Sequence, residues 1–229
     1  MTSFQRKEEQ VPTKTLDIPS LAAEFAAGHP NLAPRRQRLA LATFRLLGEG
    51  RPFLPEELAR RANLSPEEVA AFFDEWPIVQ RDPQGRLFAF AGLTLEPTSH
   101  ALEVDGRTLY TWCALDTLFL PELLGRPARI RSTAPQTGET ISLIVDASRV
   151  RDVAPEGAAM TLHAVSGLNV KDVVGTFCCY VHFFASEQAA HAWAERNEGT
   201  YVVSITEGFE YGRLFNHAQL GAALEDDRR

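Results

Sequence analysis

The apolar positions in the first part of the chain repeat with the spacing of amphipathic helices. Ala40, Phe44 and Leu47 fall at i, i+4 and i+7, and Gly48 follows directly. This spacing puts the three side chains on one face of a helix that ends near Gly48. A second, shorter helix is predicted to begin near Pro55, because proline is favoured at the first helical position.

A third helix is marked by Ser65, Pro66 and Glu68, which form a capping box with proline at the first helical position. Its apolar positions recur at i, i+3, i+4 and i+7 and are Val69, Phe72, Phe73 and Trp76. Two short extended runs follow, at residues 78–81 and 86–90, around an Asp-Pro-Gln-Gly turn. Three helices followed by a hairpin are typical of a winged-helix domain.

Beyond Pro97 the pattern becomes that of an α+β protein. Asp105 and Gly106 form a dipeptide suited to a two-residue turn, and they join extended runs at residues 102–104 and 108–110. Further strands are predicted at residues 128–132, 141–145, 160–165, 180–184 and 201–205. Further helices are predicted at residues 113–120 (closed by Pro121 and Gly125), 170–174, 186–196 and 207–220. We therefore expect an α+β fold, with a winged-helix-like helical domain followed by a mixed domain of mostly antiparallel strands.

The chain divides into three predicted parts. Residues 1–32 are polar, carry three prolines and have only a weak apolar patch, so we interpret them as a flexible leader. Residues 33–95 are the winged-helix-like domain, and residues 96–229 carry the candidate chemistry. No secretory or transit segment is recognisable, and the most apolar stretch, residues 176–185, is far shorter than the ~20 residues that span a bilayer. We expect a cytoplasmic protein.

Charge argues against nucleic acid as a partner. The chain has 23 Lys and Arg against 30 Asp and Glu, which gives a net charge of −7. The helix that would enter the major groove carries Glu67, Glu68, Asp74 and Glu75 and no basic residue. Phosphates would repel it, since basic side chains supply most protein–DNA affinity. We expect residues 33–95 to pack on the rest of the chain and help to cover its pocket, with neither nucleic acid nor membrane as a partner.

Cys113 and Asp116 are the first candidates for chemistry. They lie three residues apart in a predicted helix, so both side chains occupy one face. A carboxylate beside a thiol can accept its proton, and burial raises the pKa of the carboxyl until it can donate a proton near neutral pH. Spacing alone also fits a buried free cysteine beside a solvated or capping aspartate.

The other two cysteines, Cys178 and Cys179, are adjacent and precede an apolar run predicted to be a strand. Neighbours in a strand point to opposite faces, so only one of them can face Cys113. Three cysteines without Cys-x-x-Cys spacing do not match a zinc site, whereas two converging thiolates suit a soft metal such as Cu(I) or Hg(II). Binding one linear metal requires sulfurs roughly 4 to 5 Å apart, about twice a ~2.3 Å bond. His182 is interpreted as a hydrogen-bonded structural histidine.

Two longer runs carry a resemblance to a known family: LYTWCALDTL at residues 109–118 and TFCCYVHFFAS at residues 176–186. With them, the chain resembles the organomercurial lyases (alkylmercury lyases) of bacterial mercury resistance from about residue 92 to 220. The resemblance is weaker over the N-terminal helices, although the family has a winged-helix-type domain there. It implies that Cys113 and Cys178 are the essential thiols and bind mercury. Asp116 corresponds to the catalytic carboxylate and is a third candidate ligand.

The resemblance also implies a reaction. Two thiolates would donate electron density to the mercury of a small organomercurial, Asp116 would protonate the carbon, and the products would be a hydrocarbon and Hg(II). Many members have a further cysteine downstream of the first, but residues 130–136 contain none here. No cofactor is expected, external thiols would release the product, and a mercuric reductase would accept the Hg(II).

Two other classes of protein remain as alternatives. A mercury- or copper-responsive winged-helix regulator would explain the domain pair and the thiols, but neither the acidic third helix nor Asp116. A dithiol oxidoreductase is weakened by the absence of Cys-x-x-Cys.

Overall fold

Residues 16–76 and 78–227 are described by a computed structural model of the chain. The fold is α+β, as predicted, and every strand pairing within these two ranges is antiparallel. No helix within the same ranges is both long and apolar enough to cross a membrane.

The three helices predicted before residue 78 are present. They are α2 (Pro34–Leu47), α3 (Pro55–Ala62) and α4 (Pro66–Glu75), and another helix, α1 (Ile18–Ala27), precedes them. The Ser65 hydroxyl accepts from the backbone N–H of Glu68, and the Glu68 carboxylate accepts from the backbone N–H of Ser65, so the capping box is complete. The apolar face predicted for α4 is fully buried.

Eight strands form one sheet in the order β1-β2-β3-β5-β4-β6-β7-β8. They are β1 (Val79–Arg81), β2 (Leu87–Phe90), β3 (Leu93–Thr94), β4 (His100–Val104), β5 (Arg107–Thr111), β6 (Ala128–Thr133), β7 (Thr140–Val145) and β8 (Val150–Ala154). Asp105 and Gly106 both take positive φ between β4 and β5, as the predicted turn requires. β8 was not predicted; its five residues are at least partly exposed and lack a run of buried apolar side chains.

This sheet runs across the predicted boundary at residue 95. β3 lies before the boundary and pairs with β5 beyond it, so strands from both sides share one hydrogen-bonded layer. The winged-helix form of residues 33–95 and the division into domains stay predictions.

A smaller sheet and the remaining helices complete the fold. The sheet has the order β10-β9-β11, with β9 (Ala159–His163), β10 (Phe183–Phe184) and β11 (Thr200–Ser204). The helices are α5 (Ala114–Leu124), α6 (Val173–Thr176), α7 (Glu187–Ala194) and α8 (Ile205–Asp227). α5 packs against α2 and α8 and against strands β4 to β7, which places it at the centre of the core.

The interpretation of residues 1–32 as a flexible leader is wrong for α1. Asp17 caps this helix by accepting from the backbone N–H of Ser20. Ile18, Ala22 and Phe25 fall at i, i+4 and i+7 and are buried, and α1 packs on α8. A distant helix therefore stabilises a segment whose local signal is weak. Residues 1–15 of the predicted leader lie outside the described residues.

Two predicted boundaries beside Cys113 and Cys178 are also wrong. Pro121 does not end the central helix: α5 continues to Leu124, and Gly125 ends it at a φ of 66°. Proline removes one helical hydrogen bond, and burial of every α5 residue before Leu124 offsets this loss. The strand predicted at residues 180–184 is confined to β10, because Cys178–Tyr180 forms a 3₁₀ turn.

Candidate active site

The N-terminus of α5 positions the first thiol and the carboxylate. Cys113 is the N-cap of this helix, and its backbone N–H donates to Asp116 Oδ2 over 2.9 Å. The Thr111 hydroxyl donates to the carbonyl oxygen of Cys113 over 2.8 Å, which fixes the chain as it leaves β5. The three-residue spacing thus brings the two groups together through a helix cap.

The second thiol lies on the 3₁₀ turn Cys178–Tyr180. The backbone N–H of Ala114 donates to the carbonyl oxygen of Val181 over 3.2 Å, which ties the start of α5 to the end of this turn. From β9, the Thr161 hydroxyl donates to the carbonyl oxygen of Tyr180 over 2.7 Å. These two hydrogen bonds therefore hold the C-terminal end of the turn, and Cys178 lies against the start of α5.

These elements bring the three predicted site residues into one cluster. The sulfur atoms of Cys113 and Cys178 and a carboxylate oxygen of Asp116 all lie within 4.8 Å of one another. All three residues are buried. The sulfurs are therefore close enough to bind a single two-coordinate metal, as expected from twice a metal–thiolate bond.

Cys179 lies apart from the cluster: its side chain is exposed and its thiol donates to the carbonyl oxygen of Gly175. The prediction that only one of the two adjacent cysteines faces Cys113 is confirmed. The stated reason was wrong, because a 3₁₀ turn and not strand alternation separates them. His182 is partnered, as predicted, through Nε2 and the carbonyl oxygen of Cys179 at 2.9 Å.

Burial sets the protonation of the carboxyl group. It raises the pKa of Asp116 to about 7, although hydrogen bonds from Cys113 favour the ionised form and lower this pKa in part. A group with this pKa is divided between acid and base at neutral pH, so it can both accept and donate a proton.

The two thiols differ in acidity. Burial raises the pKa of Cys113 well above its usual value, and the hydrogen bond to Cys178 and the negative charge of Asp116 raise it further. At Cys178 the hydrogen bond from the Cys113 thiol lowers the pKa, but burial and the Asp116 charge leave it above the usual value. Since only Cys178 gains an acidifying hydrogen bond from its partner thiol, we expect it to ionise first.

An apolar cavity opens onto this cluster. Cys178 and Asp116 line it together with Trp112, whereas Cys113 is fully enclosed. The part of the chain before residue 96 contributes Phe25, His29, Phe44, Trp76, Ile78, Ala91 and Gly92. The expectation that residues 33–95 help to cover the pocket is confirmed, and α1 joins them.

Three polar or close-packed residues stand out among those of this cavity that sequence reasoning missed. Gly92 lies against Asp116 and has a φ of +99°. Asn216 and Gln219 line the cavity from α8, about one hundred residues beyond Asp116 in the chain. Gly92 follows the end of β2, where a glycine could have suggested a close contact. No local signal distinguishes two amides on a long helix.

Comparisons with known proteins agree with the geometry. The MerB family model, described as alkylmercury lyase, matches residues 93–216. The alkylmercury lyase of Pseudomonas putida is 37% identical over 217 residues, which cover 94% of this chain and 98% of that protein. The alkylmercury lyase of Staphylococcus epidermidis is 39% identical over 182 residues, covering 80% of this chain and 81% of that protein.

A solved structure shares the fold. It is described as the mercury-bound form of MerB2 and superposes with a TM-score of 0.69, covering 88% of this chain and 98% of that chain. The two sequences are 20% identical.

Proposed function

The chain belongs to the alkylmercury lyase family, whose members cleave carbon–mercury bonds, and we propose that Cys113, Asp116 and Cys178 perform that cleavage here. The observation that carries the assignment is the buried cluster of two sulfurs and one carboxylate within 4.8 Å. Protonolysis needs two thiolates to bind mercury and one acid to protonate carbon, and this cluster contains those three groups.

The first step is capture of the organomercurial R–Hg–X by Cys178. Cys178 lines the cavity, and its thiol receives a hydrogen bond that favours ionisation. Its thiolate forms the sulfur–mercury bond and displaces X, which leaves with the thiol proton. Cys113 then loses its proton to Asp116 and adds as a second thiolate, which gives mercury bound to R and to two sulfurs.

The second step breaks the carbon–mercury bond. Two thiolates increase the electron density on the carbon attached to mercury, and Asp116 now holds the proton taken from Cys113. Transfer of this proton to carbon releases R–H, returns Asp116 to its carboxylate form and leaves Hg(II) between the two sulfurs. Mercury remains Hg(II) throughout, so the step needs no electron acceptor or donor.

Product release requires other thiols, because buried Hg(II) held by two sulfurs dissociates slowly. Two external thiols exchange with Cys113 and Cys178, restore both protein thiols and carry Hg(II) away. We propose that a mercuric reductase, the acceptor implied by the family resemblance, then accepts this Hg(II). We further propose that the enzyme acts in the cytoplasm, because both thiols must stay reduced to bind mercury.

The regulator alternative has no support from these observations. The apolar face of α4 is buried, and its four acidic residues, Glu67, Glu68, Asp74 and Glu75, are exposed. A surface of this charge would repel DNA phosphates. The dithiol oxidoreductase alternative does not explain why a buried carboxyl lies beside the two thiols.

The direct test supplies phenylmercury or methylmercury with excess low-molecular-weight thiol and measures the gas phase. Benzene or methane should form in an amount equal to the Hg(II) released. The Cys179→Ser protein serves as the active control, since that thiol lies outside the cluster. Absence of hydrocarbon from both substrates, with the protein folded and its thiols reduced, would contradict the proposed function.

A further inference from the structure

Two buried amides line the cavity, and their oxygens accept no hydrogen bond from the described part of the chain. Asn216 is 1% exposed and Gln219 is 7% exposed, and they lie three residues apart on one face of α8. Within residues 16–76 and 78–227, neither Asn216 Oδ1 nor Gln219 Oε1 has a hydrogen-bond partner. Both residues line the same cavity as Cys178 and Asp116.

The orientation of each amide is set by what its nitrogen contacts. Asn216 Nδ2 donates to the Phe119 carbonyl oxygen and to Glu122 Oε2, both at 3.0 Å. Gln219 Nε2 donates to the Ala26 carbonyl oxygen at 2.8 Å. Each amide nitrogen thus donates to a backbone carbonyl oxygen, which can only accept, so turning either amide over would place oxygen against oxygen. The unpartnered atoms are therefore the two acceptors.

Such atoms are costly in a folded protein. Buried polar groups nearly always have a hydrogen-bond partner, and an unpartnered one loses its hydration without compensation. Two unpartnered acceptor oxygens in one apolar cavity beside the reactive cluster therefore indicate a ligand that donates hydrogen bonds to them.

A third unpartnered group defines the ligand further. Trp76 is 4% exposed and lines the same cavity, and its indole Nε1 donor has no acceptor among the residues that the structure describes. A hydroxyl group both donates and accepts one hydrogen bond, so it complements an acceptor on α8 and this donor.

We propose that Asn216, Gln219 and Trp76 form a specificity subsite that recognises a hydroxyl group on the organic part of the mercury substrate. The inference rests on the proposed function, because mercury bound at Cys178 places its organic group in this cavity. The enzyme then prefers hydroxyl-bearing organomercurials over apolar ones of the same size.

The test compares the three hydroxyphenylmercury isomers with the corresponding tolylmercury isomers, in which a methyl group replaces the hydroxyl. The quantity measured is the ratio of kcat/KM for the two members of each pair, from phenol (the hydroxyphenyl product) and toluene release. For at least one isomer, the hydroxyl-to-methyl ratio should be about three- to tenfold lower in Gln219→Met and in Trp76→Phe than in the wild type. This is the effect expected from losing one neutral hydrogen bond. Electronic differences between the substrates cancel, because the same pair is compared across proteins.

Gln37→Met is the matched control. Gln37 is also an amide at the α2–α8 contact, but its Oε1 accepts from the backbone N–H groups of Ala222 and Ala223, so its oxygen has partners. This variant should leave every hydroxyl-to-methyl ratio unchanged, even if it lowers stability.

A second measurement uses no mercury: phenol and toluene are titrated into the wild-type protein and followed by NMR. Phenol should bind more tightly, and Gln219→Met should remove the difference. Equal binding of phenol and toluene, which is expected if water alone satisfies the amides, would overturn the subsite. Hydroxyl-to-methyl ratios of kcat/KM that are unchanged in both variants would also overturn it. Hydrocarbon release without discrimination would refute the subsite alone, whereas selective phenol binding without any release would refute the proposed function alone.

Discussion

Gly92 leaves just enough room for the carboxyl group of Asp116. A Cβ atom at position 92 would lie 2.6 Å from Asp116 Oδ1 and 2.7 Å from its Cγ, closer than real Cβ contacts allow. The φ of +99° at Gly92 is also one that L side chains rarely adopt. The backbone carbonyl of Gly92 accepts from the backbone N–H of Trp112, which directly follows β5. This hydrogen bond holds Gly92 next to the start of α5, where Asp116 lies. Gly92 is thus a positioning residue for the proposed proton donor.

Gly92→Ala should displace the Asp116 carboxyl and lower kcat for hydrocarbon release by ~10²-fold, the cost of misplacing a reacting group by about 1 Å. Gly85→Ala is the control: it has a φ of +78° and nothing within 4 Å of its Cβ position. Backbone strain should cost each variant about 1 kcal/mol of stability, and the contact with Asp116 should cost Gly92→Ala more. The pH profile of kcat should shift only in Gly92→Ala. Equal activity in the two variants would remove the positioning role.

Local patterns were sufficient for much of the fold. The capping box at Ser65 and the turn at Asp105 and Gly106 were predicted because their geometry depends on neighbouring residues alone. The clustering of Cys113 with Asp116 follows from three-residue spacing at a helix start. Bringing Cys178 to the same place required the family resemblance, because no local rule joins residues so far apart in sequence.

Long-range packing explains the failures. α1 is short, and α8 buries its apolar face only in the folded chain. Pro121 lies inside α5 because the surrounding core offsets a lost hydrogen bond. Asn216 and Gln219 acquire their significance from a cavity that several distant segments build together.

Each thiol can be tested by replacement with serine. Cys113→Ser and Cys178→Ser should each abolish turnover, because a hydroxyl does not bind mercury as a thiolate does. Cys179→Ser should keep nearly all of the wild-type rate, since its side chain is exposed and outside the cluster. Benzene release from phenylmercury under excess thiol measures all three. An inactive Cys179→Ser beside an active Cys178→Ser would show that the wrong sulfur was assigned.

Stability should depend on pH through Asp116. Its pKa in the folded protein is about 7, above the ~3.9 of an unfolded chain, so the folded state favours the protonated form. The stabilising contribution of Asp116 is therefore fully present below about pH 4 and is lost as pH rises through 7. Relative to Asp116→Asn, the wild type should lose roughly 2 to 3 kcal/mol between pH 5 and pH 8, measured by urea unfolding under reducing conditions.

Asp146→Asn provides the matched control for that experiment. Hydrogen bonds from Ser148 hold the pKa of Asp146 below its usual value, so its contribution is lost only in acid. The stability difference between this variant and the wild type should stay constant from pH 5 to pH 8. If the stability difference between Asp116→Asn and the wild type is also independent of pH, Asp116 does not change protonation in this range.

The last prediction separates mercury binding from bond cleavage. Asp116→Asn keeps the size of the side chain and an oxygen that can accept from the backbone N–H of Cys113, but it removes the transferable proton. Uptake of phenylmercury should persist, because the negative charge of Asp116 raises the pKa of Cys178 and its removal favours the thiolate. Benzene release should fall by ~10²- to 10⁴-fold, the usual effect of losing a positioned general acid. Mass spectrometry should then detect a persistent phenylmercury adduct, with Cys178→Ser as the comparison that removes the capturing sulfur. Benzene released at the wild-type rate would exclude Asp116 as the proton donor.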